Sequence, residues 1–236
     1  MGAALGWGAL AASSLVFGAM LGLARPWPPR QVGIILAFGA GALISAVSFD
    51  LVEEGAAIGE PGTVALGLAV GSLTYYGLNH VVERRTSHGA AGTQRANAGP
   101  ALALGAFLDG IPEQLVLGIG LATGEGVSVA LLVAIFVSNL PEAIGSTTEL
   151  RTSGTSEKTI RRLWIAVAAI CTLASLAGYA AADSVSDDLK AVINGFAAGA
   201  LLVMLVDSMI PDATRKGGQA AGLATVLGFA VAFGLA

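Results

Sequence analysis

Two stretches place groups capable of chemistry inside apolar sequence. In "GAFLDGIPEQLVLGIG", residues 105 to 120, Asp109 and Glu113 flank Pro112; in "FVSNLPEAIGSTTEL", residues 136 to 150, Ser138, Asn139 and Glu142 surround Pro141. Asp109 and Glu113 are four apart, as are Ser138 and Glu142, so each pair occupies one face of a helix. Carboxylate, amide and hydroxyl oxygens together form a hard donor set of the kind that Mg²⁺, Mn²⁺ or Fe²⁺ takes. Each proline removes a backbone donor, which frees the carbonyls of Leu108 and Val137 and is expected to bend the chain there. Within a membrane such a carbonyl is tolerated only where it lines a cavity or finds a partner.

The elements that must position these groups follow from composition. The 236 residues are 55% hydrophobic and 12% charged, with 33 glycines and a mean hydropathy of +0.77. That balance predicts an all-α, polytopic integral membrane protein. Apolar runs long enough to cross a hydrocarbon core of about 30 Å cover residues 1–24, 31–52, 61–82, 99–122, 126–147, 160–182, 190–212 and 219–236. Eight transmembrane helices leave almost nothing for a soluble domain, so residues 1–236 read as a single transmembrane domain. The longest polar connection, "ERRTSHGAAGTQRANAG" (83–99), has the composition of a flexible loop. The first run has no basic residue ahead of it and Arg25 behind it, which favours a retained helix over a signal peptide. The single cysteine, Cys171, excludes an internal disulfide and reads as a small buried side chain.

Charge sets the expected orientation. Every Lys and Arg except Lys190 lies in the connections after the first, third, fifth and seventh runs; the other connections hold Glu53, Glu54 and Glu60, then Glu125, then Asp183, Asp187 and Asp188. The basic connections are therefore expected in the cytoplasm and both termini outside, with the chain in the cell membrane. The net charge of −4 reflects the acidic outer connections and gives no support to a nucleic-acid partner. The lipid bilayer is the expected partner, and small-xxx-small spacing on several helices permits a homodimer.

A short internal repeat organises the runs. "FGAGALISAVSFDLVEEGA" (38–56) and "FAAGALLVMLVDSMIPDA" (196–213) share F-[GA]-A-G-A-L, and Glu54 falls opposite Asp212. They belong to the second and seventh runs, which the charge rule orients in opposite directions. Inverted repeats are typical of transporters with a midplane substrate site. Helices 1–3 and 6–8 would form the repeats and flank helices 4 and 5. At 1.5 Å per residue, Asp109 lies roughly 15 Å from the inner end of helix 4 and Ser138 roughly 16 Å from the outer end of helix 5, near the bilayer centre. An ionised carboxylate there costs at least about 2.5–3.5 kcal/mol. No Lys or Arg lies within the interior of any of the eight runs, Arg161, Arg162 and Lys190 standing at their ends. Neutralisation is left to protonation, water or a bound cation.

These residues resemble a known family. D-G-I-P-E-Q and S-N-L-P-E-A are similar to the paired motifs H-N-x-P-E-G and H-x-x-P-E-G of the ZIP (Zrt/Irt-like) metal transporters, and S-F-D-L-V-E-E in the second run is similar to that family's S-F-x-E-L-x-P-E. The resemblance implies a 3+2+3 arrangement of eight helices and a metal site between helices 4 and 5. Its ligand positions fall on Asp109, where the motif has His; on Gly110, where it has Asn; and on Glu113, which matches. In helix 5 they fall on Ser138, often His in the motif; on Asn139; and on Glu142, which matches. Both motif histidines are absent, and Gln114 and Ala143 replace the motif glycines. The expected metal ligands are therefore Asp109, Glu113, Ser138, Asn139 and Glu142. Zinc is the family's default substrate, while the oxygen-only set also accommodates manganese or iron. His80 and His88 stand alone near the cytoplasmic side as surface residues.

Five further positions extend the expected path. Ser146 and Glu149 continue the face of Ser138 and Glu142 toward the cytoplasm; Asp50 and Glu54 face the outer entrance; Asp207 looks inward on helix 7. Met204 and Met209 read as core, and Trp7, Trp27, Trp164, Tyr75 and Tyr76 as interface or packing residues. The sequence has no G-x-x-x-x-G-K-[ST] loop for ATP and no G-x-S-x-G elbow. The expectation is a non-enzyme without an organic cofactor: a gradient-driven carrier importing a divalent cation. The alternative is a membrane scaffold or metal sensor with a degenerate site, since loss of both histidines is what such a site would show.

Overall fold

In the computed structural model, which describes residues 1–87, 110–122, 128–182 and 186–235, the backbone is helical throughout its regular elements. They are α1 (Gly2–Ala24), α2 (Pro29–Ile58), α3 (Pro61–Ser87), α4 (Gly110–Ala122), α5 (Val129–Thr152), α6 (Glu157–Ala182), α7 (Asp187–Gly217) and α8 (Ala220–Phe233). Local chemistry sets several ends. Pro29 starts α2, where a missing N–H costs nothing. Ser128 and Ser186 cap α5 and α7, accepting from Leu131 N at 3.0 Å and Leu189 N at 3.3 Å. Gly218, at φ 62°, supplies the left-handed turn that ends α7.

Five of these helices, α1, α2, α5, α6 and α7, are long and apolar enough to cross a membrane, and the chain is a multi-pass membrane protein. The other three expected spans differ. α3 is 27 residues long but carries Tyr75, Tyr76, Asn79 and His80. Only Gly110–Ala122 of the run expected at 99–122 lies among the described residues, and α8 is 14 residues long.

Glycine decides how the helices meet. A Cβ on Gly41 would lie 1.8 Å from the Thr225 carbonyl oxygen, and one on Gly228 1.9 Å from that of Phe38, so α2 and α8 touch backbone to backbone. α7 meets α3 in the same manner at Gly199 (2.2 Å to Leu68 O) and Gly71 (2.0 Å to Phe196 O). α1 seats on α5 at Gly18, where a Cβ would lie 2.5 Å from Leu140 O, and α4 on α6 at Gly118, where one would lie 2.0 Å from Ser175 O. Between helices in lipid the drive comes from close van der Waals packing rather than water exclusion, which is why small residues fill these seams. Large apolar side chains point outward instead, as Leu73, Val206 and Leu223 do.

Within α2 and α7 the helix widens to π geometry, over Val47–Glu53 and Leu205–Met209. The two segments begin at matching positions of the repeat, as far apart in sequence as Phe38 and Phe196. Nothing in residue type announces them. α5 stays α-helical on both sides of Pro141, where the sequence predicts a bend; Leu108, the other expected free carbonyl, lies outside the described residues.

Candidate functional site

α5 is the spine of the site. Its Ser128 cap also donates to Asp50 Oδ1 of the α2 π segment at 2.5 Å, tying the two helices together at one end. Farther along, α2 comes so close that a Cβ on Gly39 would sit 2.9 Å from Ser138 Cα, while the α1 seam at Gly18 and Gly22 holds the Leu140 and Ile144 carbonyls. The face left open carries Glu142, Gly145, Ser146 and Glu149, at helical steps of three and four. It lines a cavity of about 300 Å³. α2 contributes Val32 and Leu36 to the opposite wall, and α3 contributes Tyr75 and Asn79. α7 closes it with Met204, Ser208, Met209, Asp212 and Lys216.

Deeper in the bundle, Glu113 of α4 is 1% exposed, and Ser138 and Asn139 are buried beside the half-buried Glu142. Ser138 Oγ donates to Ile135 O at 3.1 Å, leaving its lone pairs for other contacts. Cys171 of α6, buried and free, lies within electrostatic reach of both Glu113 and Glu142. A Cβ on Gly110 would approach its Sγ to 2.7 Å, so the position that holds Asn in the family motif takes that side chain only if Cys171 changes rotamer or α6 shifts. Among the described residues no three Asp, Glu, His or Cys side chains gather as metal ligands. The expected set draws Asp109 from outside those residues and takes two of its donors from Ser138 and Asn139.

Of the other expected positions, Ser146 and Glu149 line the cavity, Glu54 is half-buried and Asp50 is held by Ser128. Asp207 is exposed, in the π segment, and Asp212 rather than Asp207 lines the cavity. His80 stacks on Tyr76 with ring centroids 6.0 Å apart, and His88 lies outside the described residues. By sequence Lys216 falls in the connection after the seventh run, and the interiors of the runs hold no basic residue. α7 continues to Gly217, however, so the side chain remains on the helix and enters the cavity wall. The i, i+4 pairing of Asp212 with Lys216 was the available signal.

The family model described as ZIP zinc transporter matches residues 77–236, which include α4, α5, α7 and the α5 face of the cavity. The chain belongs to the ZIP zinc transporter family. It is also similar to a protein of Arabidopsis thaliana described as a "Putative zinc transporter", with 30% identity over 205 residues, 84% of this chain and 33% of the relative. The chain thus spans about a third of the length of that relative. Relative to the family motifs, Asp109 and Ser138 stand at histidine positions, and the cavity wall carries Lys216.

Proposed function

We propose that the protein carries a divalent metal ion across the cell membrane, driven by its gradient and directed toward the cytoplasm. The ion is held between α4 and α5 by Asp109, Glu113, Ser138, Asn139 and Glu142 and leaves along Ser146 and Glu149. The observation that carries this reading is the cavity whose α5 wall is the Glu142–Ser146–Glu149 face, in a chain of this family. Zinc is the family's substrate by name; hard oxygen donors make manganese and iron equally acceptable in kind. The 3+2+3 arrangement fits the pairing of α2 with α8 and of α7 with α3, and the π segments at matching repeat positions. In that frame alternating access is a rocking of one repeat bundle against the other about α4 and α5. The charge pattern puts both termini outside and the Arg215–Lys216 end of α7 in the cytoplasm.

The test is uptake of Zn²⁺, Mn²⁺, Fe²⁺, Cd²⁺ and Mg²⁺ into proteoliposomes containing a metal-sensitive dye. Wild-type protein is expected to give flux that Glu113→Ala/Glu142→Ala abolishes. Silence for every ion, with folded and inserted protein, would favour the scaffold or sensor instead. Metal-dependent stabilisation of the detergent-purified protein provides a second readout, expected in wild type and lost in the double variant.

A further inference from the structure

The cavity face of α5 meets a fixed positive charge. Lys216 Nζ pairs with Asp212 Oδ2 while Arg215 Nη2 takes Asp212 Oδ1, but Arg215 is largely exposed and only Lys216 lines the cavity. Its ammonium lies 3.8 Å from the point where a Cβ on Gly145 would stand, and Gly145 is on the same face as Glu142 and Glu149, between them. The missing side chain at 145 leaves the space that the ammonium approaches. The base of the lysine is held as closely, since a Cβ on Gly33 of α2 would meet Lys216 Cβ at 2.7 Å and Gly217 N at 2.3 Å. Of the charged residues lining this cavity, Glu142, Glu149 and Asp212 are acids and Lys216 is the base.

A cavity walled by several carboxylates attracts any cation, and potassium or sodium far outnumber transition metals in a cell. Valence is the property that separates them, because attraction to the same carboxylates scales with the charge of the ion. We propose that Lys216 is a specificity-determining residue: a tethered monovalent cation that occupies the inner half of the path, so that a divalent ion displaces it and a free monovalent ion does not. The ammonium neutralises part of the carboxylate field when the path is empty. On arrival of a divalent ion it withdraws from the gap at Gly145 while keeping Asp212, its partner one helical turn away. This role rests on the transport reading above and adds to it the basis on which charge is selected.

The experiment measures the half-saturating Mn²⁺ concentration for uptake in proteoliposomes, in wild type, Lys216→Met and Lys216→Arg, with about 0.1 M potassium chloride or the same ionic strength of N-methylglucamine chloride. Removing the tethered charge is expected to lower half-saturation about three- to tenfold in N-methylglucamine, an attenuated Coulomb effect because Asp212 neutralises much of the ammonium's field. Potassium should then raise it in Lys216→Met alone, with Lys216→Arg behaving as wild type. A half-saturation in Lys216→Met that is unchanged or higher, or no greater sensitivity to potassium than in wild type, overturns the proposal. Lys216→Cys in a Cys171→Ser background, read before and after aminoethylation with bromoethylamine, repeats the comparison within one folded preparation: rebuilding the ammonium should restore wild-type behaviour. Absence of flux in the wild type would remove the transport reading itself, a result distinct from active protein indifferent to residue 216.

Discussion

Substituting Gly41 by alanine tests the glycine seams on which the bundle depends. The new Cβ would fall 1.8 Å from Thr225 O, 2.7 Å from Thr225 C and 2.8 Å from Phe229 N, all backbone atoms of α8 that no rotamer change can move. A carbon needs about 3.3 Å from such an oxygen, so α2 and α8 must separate by about 1.5 Å at this point. Overpacking of this kind costs about 1–3 kcal/mol. The same substitution gains up to about 1 kcal/mol of helix propensity. Gly77→Ala isolates the gain, because Gly77 is exposed on α3 and a Cβ there meets nothing within 4 Å. Unfolding in mixed detergent with rising sodium dodecyl sulfate, followed by circular dichroism, should show Gly41→Ala less stable than Gly77→Ala by about 1–3 kcal/mol. Gly199→Ala, 2.2 Å from Leu68 O in the α7–α3 seam, should behave like Gly41→Ala. Equal stability of Gly41→Ala and Gly77→Ala would refute the claim that backbone contact at glycine holds these helices together.

Two further perturbations can be read in the same titration. Ser128→Ala removes both the α5 cap and the donor to Asp50, and should destabilise the protein by about 1–2 kcal/mol; a change within error would show that neither bond matters. Gln114 is 1% exposed and its amide Nε2 and Oε1 have no hydrogen-bond partner among the described residues, so Gln114→Leu should stabilise by about 1–2 kcal/mol. Destabilisation by that change would mean that the amide is satisfied by water or substrate.

The placement of Glu142, Ser146 and Glu149 on one face was legible because helical periodicity is local, and the apolar runs announced most helices for the same reason. Asp109 belongs to the same reading but lies outside the described residues. Glu113 illustrates the limit: its spacing gave a face, whereas its near-complete burial depends on tertiary packing between helices distant in sequence. Lys216 is clearer still. By composition it belongs to a basic connection, and only the continuation of α7 to Gly217, packed on Gly33 of α2, carries it into the cavity wall.

The sequence by itself therefore determined what depends on hydropathy and short-range spacing: a membrane-embedded all-α chain, carboxylates paired at helical intervals, a repeat relating α2 to α7, and the motifs that resemble the ZIP family. Tertiary structure decided what depends on which backbones touch. It selected Asp212 over Asp207 as a cavity residue, widened α2 and α7 at matching points, and left Gly145 as the gap facing an ammonium. Helix formation follows from each segment's own side chains. The cavity and the lysine in its wall arise where glycines let separate helices approach, and that approach is written in no single segment.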